Sequence, residues 1–184
     1  MKMLTLKKMK HYEYKCSVCD GIEYKPSVFR ALVTDILKSS DGWVKWGYSF
    51  RLHSPSSPEP SSTHPIIHIK LASDRFISDH GTSFNGMSIA NCQTSEIHIN
   101  YERWMSGAKK TNPQDPTRIR MSLNEYRAYV IRHEVGHILL GCTAEDHKTE
   151  CVDGVAPIMM QQTRGVGDDC APNTTPLEVD VPAD

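Results

Sequence analysis

The chain has 184 residues, 39% hydrophobic and 23% charged, a composition that fits one globular domain and excludes a disordered chain. Lysine and arginine total 21 against 22 aspartates and glutamates, so the net charge of -1 leaves no basic footprint for general nucleic-acid binding. No apolar run approaches the roughly 18 residues that cross a bilayer, which argues against a transmembrane segment.

Residues 1–10 are basic, and their longest apolar run, Met3-Leu4, is far short of the hydrophobic region of a secretory signal. The chain then stays in its cell of origin, leaves by another route, or is a processed fragment, and the compartment stays open. Residues 1–25 read as an N-terminal extension or a first strand, with weak alternation over residues 11–15. Pro26 opens a helical pattern in which Val28, Phe29, Leu32, Val33, Ile36 and Leu37 share one face, closed by the turn pair Asp41-Gly42. Residues 43–52 are aromatic and alternating, as in a strand. Residues 54–65 hold five serines and four prolines, too little apolar surface to pack, and read as a surface loop. Residues 66–71 form a further strand pattern, residues 88–90 and 96–100 two shorter ones, and residues 112–118 a proline-containing loop.

The clearest element begins at Ser122. With Glu125 three residues later it makes a capping-box pattern, in which hydroxyl and carboxylate each satisfy an orphan backbone N–H. Residues 123–140 contain no proline and one glycine, with apolar residues on most faces, which predicts a helix buried nearly all round. Gly141 stands where a left-handed cap ends it.

That helix contains His133-Glu134-Val135-Gly136-His137. Helical positions four apart stand about 6 Å apart along one face, so both imidazoles reach one Zn²⁺. Glu134 is placed to take the proton of a zinc-activated water as general base rather than to ligate the metal. The third ligand is less regular. Leu140 stands where the longer H-E-x-x-H-x-x-G-x-x-H pattern has glycine, and Thr143 where it has the third histidine. The next histidine is His147, ten residues beyond His137, and a loop over residues 142–146 can fold it back to the metal. His147 is the expected third ligand, with the carboxylates of Glu145 and Asp146 as rivals.

Residues 126–129 running into the His133–His137 motif, followed by Ala156-Pro157-Ile158-Met159-Met160-Gln161-Gln162-Thr163, resemble a bacterial zincin-like domain of unknown function classed with metzincin-type metallopeptidases. Cys92, Ile97-His98-Ile99-Asn100, Arg103-Trp104, Gly165, Cys170, Pro172 and Asn173 also look like that family, and the resemblance covers roughly residues 26–173. It implies an α+β, zincin-like fold: a twisted mixed sheet with packed helices, an active-site helix, and a small irregular C-terminal lobe with a Met-turn at Met159. Residues 174–184 read as a tail. It further implies zinc-dependent hydrolysis of a peptide or protein substrate, with His133, His137 and His147 on zinc and Glu134 as base. The substrate is then expected along the sheet edge near residues 87–99.

The competing readings are a non-catalytic zinc-binding or protein-interaction module on the same scaffold, and a zinc hydrolase acting on another amide. Cys151 and Cys170 bracket the Met-turn, and the resembling family carries cysteines at both places, which implies a disulfide in an oxidising or extracellular compartment. Two free thiols in a reducing one are the alternative. Cys16-Ser17-Val18-Cys19 lacks the second C-x-x-C of a zinc ribbon and reads as a local disulfide or two thiols. His64, His68 and His98 are isolated in sequence, and Gln161 and Gln162 receive no catalytic role.

Overall fold

The computed structural model describes residues 9–54, 64–80, 86–107, 121–143, 147–167 and 169–182. The Ser/Pro-rich stretch 55–63, the proline-containing stretch 112–118, and Glu145 and Asp146 lie outside the described residues. Five strands form one mixed sheet: β1 (Lys10–Val18), β2 (Tyr48–Leu52), β3 (Ile67–Ala72), β4 (Ile89–Asn91) and β5 (Glu96–Asn100), in the order β2-β1-β3-β5-β4. β1, β2, β3 and β5 pair in parallel, and β4 joins β5 antiparallel with Ala90 opposite Ile97. β4 is therefore an edge, with one side of its backbone unpaired. The N-terminal segment is no appendage, because β1 is an inner strand paired on both sides.

Side chains alternate across a strand, so one face of the sheet collects Tyr12, Tyr14, Ile67, Ile69, Leu71, Ile97 and Ile99, all buried. The opposite face is polar. Lys70 Nζ meets Glu96 Oε1 at 2.5 Å, with His68 and His98 each 3.8 Å from the same carboxylate. Buried Glu13 pairs with Arg51 and, at 2.8 Å, with His53.

The apolar face is covered by α1 (Pro26–Lys38), which buries Phe29, Val33 and Leu37 at four-residue spacing, and by α4 (Leu123–Leu140). α1 packs on β1 and β2, α4 runs against β4 and β5, and the two helices touch. Burying each large apolar side chain contributes about 1.5–3 kcal/mol. Phe29 meets the buried ring of Trp104 edge-on, with centroids 5.1 Å apart.

Two short helices had no clear signal in the sequence. They are α2 (Asp74–His80) and α3 (Tyr101–Ser106), the latter capped by the Asn100 side chain, which accepts from the Arg103 N–H at 2.9 Å. The expected strand over residues 43–52 is half that length. Trp43–Trp46 is a 3-10 turn, ended by Gly47 at φ 87°, and only Tyr48–Leu52 is extended. The indoles hold that turn down: Trp43 Nε1–H donates to the Arg132 carbonyl at 2.9 Å, and Trp46 Nε1–H to the Pro176 carbonyl at 3.0 Å.

The C-terminal segment is irregular but closely tied to α4. Buried Arg132 donates to the Thr174 carbonyl at 2.8 Å and to Asp41 at 2.6 Å. The chain after residue 174 is more than a tail. Buried Asp180 accepts the backbone N–H groups of Ile158, Met159 and Leu177 at 2.8–3.0 Å. The described residues contain no helix long and apolar enough to cross a membrane.

Candidate metal centre

α4 places the first two ligand candidates. Its capping box is complete: Glu125 N–H donates to Ser122 Oγ at 3.3 Å, and Ser122 N–H to Glu125 Oε2 at 2.6 Å. Gly141 ends the helix at φ 81°, where a side chain would be strained. Between these caps His133 and Glu134 are buried and His137 is half-buried, because the helix packs on nearly every side.

His147 joins them by a different route. The chain is fixed on both sides of the connecting loop: Cys142 is disulfide-bonded to Cys92, and Lys148 N–H donates to the Met159 carbonyl at 3.3 Å. Candidate ligand atoms of His133, His137 and His147 lie within 4.8 Å of one another, with ring centroids 4.7–5.6 Å apart. Three imidazoles so grouped can hold a metal ion. The rival carboxylates Glu145 and Asp146 fall outside the described residues.

The donor chemistry fits a cation. A carbonyl only accepts, so the 2.8 Å contact between His133 Nδ1 and the Ile158 oxygen requires a proton on Nδ1. The lone pair of the neutral ring is then on Nε2, the tautomer of a metal-ligating histidine whose second nitrogen is held by a carbonyl. Burial, reinforced by the neighbouring imidazoles, pulls the His133 pKa down to about 3 and keeps the ring neutral. Burial likewise pushes Glu134 up to about 8. Among the described residues its carboxylate has no hydrogen-bond or ion-pair partner, yet it lines an open cleft. Its carboxyl group is therefore open to a group that enters the cleft.

The cleft measures about 530 Å³. Met87, Ile89 and Ala90 form an apolar wall beside β4, His133, Glu134 and His137 line its base, and Gln161 and Arg164 line it from the C-terminal segment. Met159 is fully buried and packs against Gly136, where a Cβ would overlap its sulfur and approach Trp43 Cζ2 to 2.8 Å. The absence of a side chain at position 136 thus lets residue 159 lie against the helix between the two histidines.

Several of these features had no sequence signal. Gln162 is buried, with its Nε2–H on the Pro157 carbonyl at 3.0 Å and its Oε1 accepting the Asn173 N–H at 2.8 Å. Cys92–Cys142 joins the β4–β5 turn to the end of α4 and was not foreseen, whereas Cys151–Cys170 pairs as expected. Cys16 and Cys19 are free thiols, the former pushed up to about 12 by burial. Two disulfides are compatible with an oxidising or extracellular compartment.

No curated protein and no solved structure matches this chain. A family model does, over residues 2–181, and so takes in β1 and the segment around Asp180. The chain belongs to the family described as "Protein of unknown function (DUF3152)".

Proposed function

We propose that this protein is a zinc-dependent metallopeptidase on a zincin-like scaffold, with His133, His137 and His147 as zinc ligands. The observation that carries the reading is the three-imidazole cluster beside a buried, unpartnered Glu134 in an open cleft. Nitrogen donors of this number suit zinc in catalytic sites, where a further position is left open. When bound, zinc supplies Lewis acidity that acidifies water and polarises a carbonyl.

The chain's own residues supply the rest. With a cation held beside it, which would favour the ionised carboxylate, Glu134 would take the proton of the attacking water and return it to the departing amine. The Ile158 carbonyl holds the His133 ring in one tautomer, and Met159 supports α4 as the Met-turn residue. Ile89 and Ala90 of the edge strand β4 line the cleft, and an extended peptide adds to such an edge through main-chain hydrogen bonds.

Glu134→Ala separates catalysis from metal binding. The variant is expected to retain about one zinc per chain while losing cleavage of a broad peptide library. If zinc-loaded parent protein cleaves nothing, or Glu134→Ala cleaves as fast as the parent, the peptidase reading fails. An inert, zinc-loaded parent would instead indicate a binding module.

A further inference from the structure

We propose that Arg164 determines specificity in the cleft by binding a carboxylate of the peptide, a role that rests on the peptidase reading for its substrate class. Arg164 is the single lysine or arginine among the described residues that line the cleft. It is exposed, and among the described residues its guanidinium has no hydrogen-bond or ion-pair partner. It is not paired with Glu134, so among the described lining residues nothing neutralises it by direct contact.

The backbone carrying Arg164 is well fixed. It ends the 3-10 turn Gln162–Arg164, whose first residue is buried and gives its N–H to Tyr129 Oη at 2.8 Å. The N–H of Gly165 returns to the Gln162 carbonyl at 2.9 Å, and the Gln162 side chain cross-links Pro157 to Asn173. A guanidinium without a partner breaks no existing ion pair on binding, and the held backbone fixes the place from which its flexible side chain reaches into the cleft.

Its planar fork of N–H donors matches a carboxylate through two parallel hydrogen bonds. Phosphate dianions are typically read by clusters of arginines, and this cleft has one. The ligand group is therefore a monoanionic carboxylate, either an internal aspartate or glutamate side chain or the free C-terminus of the peptide.

Fluorescence anisotropy on zinc-loaded Glu134→Gln protein measures this recognition without turnover. The probes are fluorescein-labelled, C-terminally amidated peptides in which one glutamine is changed to glutamate at each position in turn. The all-glutamine peptide with a free C-terminus is the second arm. One arm is expected to bind more tightly than the neutral amide, and Arg164→Gln should abolish that gain, a loss of about tenfold. Arg164→Lys should keep part of the gain, and Arg164→Glu should reverse it.

Equal binding of charged and neutral peptides, or a preference that survives Arg164→Gln, would overturn the assignment. Cleavage by the parent protein without any preference for carboxylates overturns Arg164 alone and leaves the peptidase reading standing. A binding preference lost with Arg164→Gln, in a protein whose parent cleaves nothing, supports Arg164 and removes the peptidase.

Discussion

His133 and Ile158 are joined by a 2.8 Å hydrogen bond across 25 residues of sequence, and it fixes which imidazole nitrogen is left to bind a metal. The N–H of the same Ile158 donates to Asp180 Oδ2 at 3.0 Å, and that of Met159 to Asp180 Oδ1 at 3.0 Å. The side-chain carboxylate of Asp180 thus holds the loop whose carbonyl orients a candidate ligand.

Asp180→Ala should leave two buried N–H groups without acceptors, a loss of about 3 kcal/mol in stability. Outer-shell changes of this kind also lower metal affinity about 10–100-fold. Thermal unfolding and zinc competition against a chromophoric chelator would measure both. A variant that melts with the parent and holds zinc equally well would remove Asp180 from the account.

The helix that carries His133 and His137 was legible because its signals are local. Ser122 and Glu125 form the cap, Gly141 ends the helix, and the spacing of His133 and His137 follows from the helical repeat. Phe29, Val33 and Leu37 marked α1 in the same way. The six-residue α3 falls below the window in which periodicity can be read, and Trp43–Trp46 looked like a strand because aromatic residues favour strands. His147 was reachable only as the next histidine in the chain. The chain on either side of its loop is held by the Lys148–Met159 bond and the Cys92–Cys142 link, contacts between segments that helical or strand periodicity cannot reveal. Asp180 and Arg164 gave no signal, since an isolated charge in an irregular segment has no periodicity.

Gly136→Ala sets two effects against each other. Alanine is favoured over glycine within a helix by about 1 kcal/mol, so propensity alone would stabilise the variant. The added Cβ would overlap Met159 Sδ and crowd Trp43, both buried, and overpacking costs about 1–3 kcal/mol. The variant is expected to be destabilised. Combining it with Met159→Ala should be less damaging than the sum of the single changes, as a denaturant-unfolding double-mutant cycle would show.

Non-reducing peptide mapping should recover Cys92 linked to Cys142 and Cys151 linked to Cys170, with Cys16 and Cys19 as thiols. Burial raises the pKa of both thiols, that of Cys16 to about 12, so Cys16 should alkylate slowly at neutral pH until the protein unfolds. With partners 50 and 19 positions apart in sequence, the chain-entropy relation assigns about 4 and about 3 kcal/mol to the two links. Full alkylation of all six cysteines without reductant would contradict the pairing.

Anomalous diffraction collected on either side of the zinc absorption edge, from crystals of protein purified without chelator, tests the central claim most directly. The account predicts one peak per chain, coordinated by nitrogen atoms of His133, His137 and His147 at about 2.0–2.1 Å, with Glu134 near it and not bound. No peak after zinc reconstitution, or a peak held by Glu145 or Asp146 in place of His147, would contradict the proposed centre.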